Sequence, residues 1–204
     1  MKVLSVNVGK CRTIIHKEKT FQTGIYKSQI HSKVRVNKLN IVGDEQVDKR
    51  VHGGLWKAVY VYPSEHYSVW QKNFPNLELE YGAFGENITA EGLFENQICV
   101  GDILQIGTCK FAVTEPRIPC FKFNIRLNEP QAVKFMVQNL ISGFYLKVVE
   151  EGEISGGNEI SIIEKGYGQI PLLELNKFLL FKNIHAENLK NILEINYMPC
   201  KNDE

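Results

Sequence analysis

Apolar side chains along this chain come in short bursts with a period near two, broken by glycines. Residues 2–8 and 33–42 have this strand character. The run Trp56-Lys57-Ala58-Val59-Tyr60-Val61-Tyr62 is a clearer strand, rich in β-branched and aromatic side chains. Further strands are predicted at residues 85–89, 103–106 and 110–115, where Cys109, Phe111 and Val113 share one face, and again at 144–150 and 159–164. The period changes to helical in two places. Pro63-Ser64-Glu65 opens a helix with Tyr67, Trp70 and Phe74 on its inner side, and a second helix is predicted over residues 129–140, beginning with Pro130. After Gly166-Tyr167-Gly168 the spacing stays helical: Leu172, Leu175, Phe178 and Leu179, then Leu189, Ile192, Leu193 and Ile195. Short strands with Gly-rich turns and inserted helices predict a mainly β fold, a closed or nearly closed barrel rather than a parallel α/β sheet. The predicted division is a barrel domain over residues 1–166 and a small helical extension over 167–204.

Composition narrows the function classes. The 204 residues are 44% hydrophobic and 23% charged, ordinary for a globular protein, and the net charge of +1 argues against a nucleic acid polymer as partner. No window approaches the ~20 apolar residues of a membrane span, so no membrane partner is expected. Five cysteines at irregular spacing, after a start too short and polar for a secretory leader, predict reduced thiols in a cytoplasmic protein. Without a CxxC pair a structural zinc site is not expected, and no Gly-rich phosphate loop supports nucleotide binding.

Three segments carry candidate chemistry. In Pro116-Arg117-Ile118-Pro119-Cys120 a thiol follows two prolines, which stiffen the chain, and cationic neighbours Arg117 and Lys122 favour thiolate, the form that attacks electrophiles or binds soft metals. A buried structural cysteine is the competing reading, and it suits Cys99 and Cys109. The long polar loop from Gly43-Asp44 to His52-Gly53-Gly54 sets Arg50, His52 and Lys57 beside glycines whose N–H groups can hold an anion; a flexible surface hairpin fits the same pattern. In Phe84-Gly85-Glu86-Asn87 the amide of Asn87 can read the edge of a heterocycle, or simply satisfy a local turn. Asp102 after Gly101 reads as a turn cap. His16, His31, His66 and His185 lack partners at ligand spacing and read as surface residues, while a Cys120–His52 dyad is left open.

In this order and spacing, the Gly43-Asp44…His52-Gly53-Gly54, Gly82-Ala83-Phe84-Gly85-Glu86-Asn87 and Pro116-Arg117-Ile118-Pro119-Cys120 segments resemble the MOSC-domain family, named for the C-terminal domain of molybdenum cofactor sulfurase, and within it the YiiM-like bacterial branch. The resemblance spans nearly all of residues 1–165, and the tail is similar to a shortened form of that branch's three-helix extension. It implies a β-barrel like the pyruvate kinase barrel domain and a pterin-based molybdenum cofactor. By motif, Cys120 would be the metal or sulfur ligand and catalytic residue, Arg117 a cofactor contact, and His52, Gly53, Gly54, Lys57, Glu86 and Asn87 the cofactor pocket. It departs from the family at Lys147, which follows Gly143-Phe144-Tyr145 where an arginine is common, and at Asn158 in place of the usual Asp.

The resemblance implies reduction of N-hydroxylated bases, small-molecule substrates, with electrons from a separate reductase. Two other uses of the same residues stay open: transfer of sulfur as a Cys120 persulfide, and non-catalytic carriage of the cofactor. The apolar side of the tail is free to dock on the barrel or on a second subunit of a homodimer.

Overall fold

A computed structural model describes residues 1–47 and 53–181. His52 and Arg50, the predicted second tail helix, His185 and Cys200 lie outside the described residues. Thirteen strands and four α-helices are present among the described residues. They run β1 (Lys2–Val8), β2 (Arg12–His16), β3 (Lys19–Thr23), β4 (Ser28–Ile30), β5 (Val34–Asn37), β6 (Asn40–Ile41), β7 (Val59–Pro63), α1 (Glu65–Asn73), β8 (Ile88–Glu91), β9 (Ile103–Ile106) and β10 (Cys109–Pro116). Then come α2 (Phe121–Leu127), α3 (Ala132–Asn139), β11 (Phe144–Glu150), β12 (Gly152–Ile154), β13 (Ile160–Glu164) and α4 (Leu172–Phe181).

The main sheet has eight strands in the order β13-β9-β10-β11-β7-β8-β1-β4. Every pairing in it is antiparallel except β7 with β8, whose parallel registration follows from the α1 crossover between them. The ladder does not close into a continuous barrel. Strand β1, next to the end strand β4, meets the segment before β13 through an isolated bridge, Lys2 with Glu159, supported by Val3 N–H to Asn158 O at 2.9 Å and Ile160 N–H to Met1 O at 2.9 Å. A small sheet, β12-β5-β6, and a separate β2–β3 hairpin complete the strands.

The sheet is packed on both faces, and β7 shows why. All five of its residues are buried. Val59 and Val61 enter the inner core with Val3, Val6, Ile88, Phe111 and Leu146. Tyr60 and Tyr62 point the opposite way, into a layer with Trp70, Phe84, Phe123 and Met136 that the helices cover. A strand buried on both faces is apolar without alternation, which is how residues 56–62 read in the sequence. Cys109, Phe111 and Val113 share the inner face as predicted.

Local details correct the sequence reading. Pro63 ends β7 rather than opening the helix, which begins after Ser64. The helix predicted over 129–140 starts at Ala132. Strands β2, β3, β4 and β12 and helix α2 were not anticipated, and the strand predicted over 33–42 is two, β5 and β6. Helix α2 buries only Phe123 and Leu127, too few repeats for a period to show. The β2–β3 hairpin turns on Lys17 and Glu18, both at positive φ (46° and 63°), where Asn-Gly or Asp-Gly normally signals such a turn. His66 is buried, not at the surface: its Nε2 lies 2.9 Å from Glu95 Oε2. Asp102 does cap its turn, accepting from Cys99 N–H and Gly166 N–H. Helix α4 sends Leu172 and Leu175 into the inner core, and its buried Asn176 donates to Ser142 Oγ at 3.0 Å, so this part of the tail packs on the barrel itself. No helix among the described residues is long and apolar enough to cross a membrane.

The four described cysteines are free thiols in unlike settings. Burial pushes the Cys109 thiol up to about 11, whereas Cys11 is exposed. Iodoacetamide at mildly alkaline pH is therefore expected to alkylate Cys11 in the folded protein and Cys109 only after denaturation, as read by peptide mass spectrometry.

Candidate functional site

Strand β10 ends where Pro116 leaves the ladder opposite Phe144, and the chain then alternates sharply. Arg117 is buried, Ile118 is exposed, and Cys120 is half-buried in extended geometry immediately before α2, its carbonyl accepting Phe123 N–H at 2.9 Å. The Arg117 backbone N–H donates to Gly143 O at 3.1 Å, tying the turn to β11. Its guanidinium lies 4.6 Å from the Tyr60 ring centroid and 5.2 Å from that of Phe123, and donates to Phe84 O. Arginine stays charged in such surroundings, so this is a positive charge in a fixed place.

Cys120 and Arg117 open onto one cavity, shared with Lys27, Lys57, Lys122 and Tyr145. A buried ion pair forms part of the cavity lining. Lys27 Nζ contacts Asp44 Oδ1, which also accepts Gly9 N–H at 2.9 Å, while Asp44 Oδ2 accepts Asn87 Nδ2 at 2.9 Å. Burial lowers the Lys27 pKa and the charge of Asp44 opposes that shift. Burial also raises both cavity tyrosines: Tyr145 is pushed up to about 12, and Tyr60, whose hydroxyl donates to Ser142 O at 2.7 Å, is pushed above its ordinary value. Both therefore stay neutral donors at physiological pH.

The two lining carboxylates already have cationic partners. Asp44 holds Lys27, and Glu45 pairs with Lys10 at 3.0 Å and accepts Cys11 N–H at 2.8 Å. Lys57 lies 3.4 Å from Glu115. Arg117 and Lys122 add to these, leaving the lining with an excess of positive charge, suited to an anion.

The sequence candidates divide. Cys120, Arg117, Lys57 and Asn87 line the cavity. The polar atoms of Asn87 are nonetheless committed to the fold: Oδ1 accepts Tyr60 N–H at 3.1 Å, and Nδ2 donates to Asn7 O at 3.3 Å as well as to Asp44. Glu86 faces away, accepting from Gly82 N–H, Phe84 N–H, Thr89 Oγ1 and Tyr67 Oη, and burial raises its pKa. Gly53 and Gly54 wrap the Gln46 side chain, and Gly54 N–H donates to Gln46 Oε1 at 3.2 Å. His52 lies outside the described residues. The two family departures fall away from the cavity: Lys147 Nζ sits 4.1 Å from the Trp56 ring centroid, and Asn158 Oδ1 caps Ser155 N–H at 2.8 Å.

Lys27, Gln46, Tyr60 and Tyr145 are cavity residues that the sequence reading missed. Nothing around Lys27 marks it, because its partner Asp44 is seventeen residues away. The tyrosines carried a weak signal, alternating with core residues along strands β7 and β11.

The donor set fits a metal carried by an anionic organic cofactor. Cys120 offers one soft ligand, and the cations around it suit phosphate. Among the described residues no three His, Cys, Asp or Glu side chains gather as a metal site.

Comparison with known proteins gives consistent findings. A model of the MOSC domain matches residues 48–161. The chain is 38% identical over 194 residues to the uncharacterized protein YflK of Bacillus subtilis, covering 95% of this chain and 86% of that one. It is 32% identical over 176 residues to a Gibberella moniliformis protein named reductase, covering 85% of this chain and spanning 31% of that relative. Among solved structures, YiiM from Geobacillus stearothermophilus matches with a TM-score of 0.80 at 33% identity, over 96% of this chain and 92% of that one.

Proposed function

Because the chain belongs to the MOSC-domain family, we propose that the cavity beside Cys120 holds a pterin-based molybdenum cofactor and that the protein reduces N-hydroxylated bases or related N-oxygenated compounds. The observation that carries this reading is the half-exposed Cys120 thiol opening onto the same cavity as buried Arg117 and three lysines. The relative named reductase supports an oxidoreductase rather than another chemistry.

When bound, the cofactor supplies a two-electron redox centre for cleaving an N–O bond. The chain's own part is to hold and shape. Cys120 offers a sulfur ligand from a proline-stiffened turn, which would hold a soft metal. Arg117 is immobilised by Phe84 O and two aromatic rings and offers fixed charge to anionic groups without reorganising. The Lys27–Asp44 pair, with Asn87 and Gly9 bound to its carboxylate, keeps a second cation in the cavity lining. Tyr145 stays protonated up to about 12 and can donate a hydrogen bond to an N-oxygenated substrate. Electrons arrive from a separate reductase, and the free thiols suit the reducing cytoplasm.

The test is metal and pterin analysis of protein made in a host that synthesises the cofactor, with turnover of hydroxylaminopurine by an artificial donor. Wild type is expected to retain molybdenum and to turn over. Cys120→Ala is expected to lose at least about ten-fold in metal occupancy and its activity, as when a metal's ligand environment is broken. Equal molybdenum in both proteins defeats the ligand role. Because Cys120 is reachable from solvent, a persulfide is the second reading; a mass increase of one sulfur on Cys120 after incubation with a cysteine desulfurase favours it. Tight cofactor binding without turnover favours a carrier.

A further inference from the structure

The β2–β3 hairpin belongs to neither of the other sheets, yet it is anchored at the cavity mouth. At its base, Cys11 N–H donates to Glu45 Oε2 at 2.8 Å and Lys122 Nζ donates to Gln22 O at 2.8 Å. Thr23, its last residue, lines the cavity. On its inner side the Phe21 ring packs edge-on against Phe121, with centroids 5.0 Å apart, and Phe121 directly follows Cys120. The hairpin and the start of α2 therefore form one continuous surface beside the thiol.

The chemistry of that surface is lopsided. Residues 10–23 carry Lys10, Arg12, Lys17 and Lys19 against the acid Glu18, and all four cations are exposed. With Lys10 paired to Glu45 at 3.0 Å, the hairpin keeps Arg12, Lys17 and Lys19 against Glu18. In a chain whose net charge is only +1, this concentrates positive charge at one edge. Apolar side chains are exposed among the cations: Ile15 at 74%, Ile118 at 44% and Phe121 at 44%. A lone two-stranded hairpin is marginal in water, and an isoleucine turned outward adds nothing to its stability. Exposed apolar groups beside a surplus of one sign of charge suit a partner of opposite charge that also buries apolar area.

We propose that the face formed by the β2–β3 hairpin and the start of α2 docks an acidic electron-carrying protein. The proposal rests on the reductive reading of the cavity. Converting R–NHOH to R–NH2 and water breaks the N–O bond and consumes two electrons and two protons. The carrier delivers the electrons one or two at a time and solvent supplies the protons. Electron transfer weakens steeply with distance, so the carrier must approach where the cavity opens, and this face borders that opening. Its charge then selects among carriers and steers their encounter.

The test uses reduced flavodoxin as the acidic carrier, dithionite-reduced viologen as a small artificial donor, and the full chain with Lys17→Glu and Lys19→Glu together. Both positions are exposed and outside the cavity, so folding and viologen-driven turnover are expected to match wild type. Flavodoxin affinity, measured by titration calorimetry with or without cofactor, is expected to weaken with salt in wild type and by about ten-fold or more in the variant, the effect of losing roughly 1.4 kcal/mol. Flavodoxin-driven turnover should fall by a similar factor. Unchanged affinity in the variant overturns the proposal. So does equal binding of a basic carrier such as cytochrome c, or sedimentation showing that the hairpin is buried in a dimer of this chain. If flavodoxin binding depends on Lys17 and Lys19 but viologen drives no turnover, the reductive reading fails while the docking face stands.

Discussion

Asp44→Ala is expected to cost about 3–5 kcal/mol of folding stability, the range found when one partner of a buried ion pair is removed. Asp44 has no exposed side-chain surface and Lys27 almost none, so truncation strands a charge away from water. Two further donors lose their acceptor at the same time, Gly9 N–H and Asn87 Nδ2. The expected readout is a large drop in urea midpoint with an unchanged slope. Adding Lys27→Met to Asp44→Ala should recover part of the loss, because the unpaired charge is then gone. If the double variant is no more stable than the single, the ion pair is not the source of the effect. The same experiment bears on the site: Asn87, which lines the cavity with Cys120, then keeps only its bonds to Tyr60 N–H and Asn7 O.

Gly143→Ala is expected to cost about 2–5 kcal/mol, combining a backbone and an overlap penalty. Gly143 has φ 64°, a conformation that a side chain disfavours. A Cβ there would overlap the carbonyl oxygen of Val61 and come within 2.9 Å of both the Tyr60 and Tyr62 rings. Relief requires β11 to part from β7 next to the Phe144–Val61 pair. That movement pulls on Arg117, whose backbone N–H is bound to Gly143 O, and on Glu95, which accepts Gly143 N–H at 2.9 Å. Gly157→Ala separates the two penalties. Its φ is 89°, but a Cβ there meets nothing within 4 Å, so only the backbone cost of about 1–2 kcal/mol applies. Equal losses in the two variants would show that overlap at Gly143 is relieved without disturbing the strands.

The main strands were legible because one burial pattern repeats along each of them. The inner-face trio of β10 and the doubly buried β7 need only local spacing to be recognised. The hairpin and α2 escaped for opposite reasons. The hairpin lies at the surface and turns without glycine or asparagine, so it has neither a hydrophobic period nor a turn signature. Helix α2 has a real apolar side, but seven residues give it too few repeats to show. His66 was misread because its only mark of burial is Glu95, which a loop brings to it from twenty-nine residues away.

The sequence by itself determined the mainly β fold, its family, and the thiol–arginine turn at 116–120, because each depends on residues adjacent in the chain. It also singled out the Gly-Glu-Asn segment, whose Gly85 and Asn87 line the cavity, and the Gly53-Gly54 pair. Only the tertiary structure decided what those segments do. Glu86 braces its own turn, Asn87 is bound into the wall through Tyr60 and Asp44, and Gln46 fills the space the glycines leave. It likewise decided that Lys27, Tyr60 and Tyr145 share a cavity with Cys120. The physical reason is that hydrogen-bonding capacity is finite: a polar side chain is available to a ligand only if no nearby backbone group has claimed it, and those neighbours are set by strands pairing across the fold.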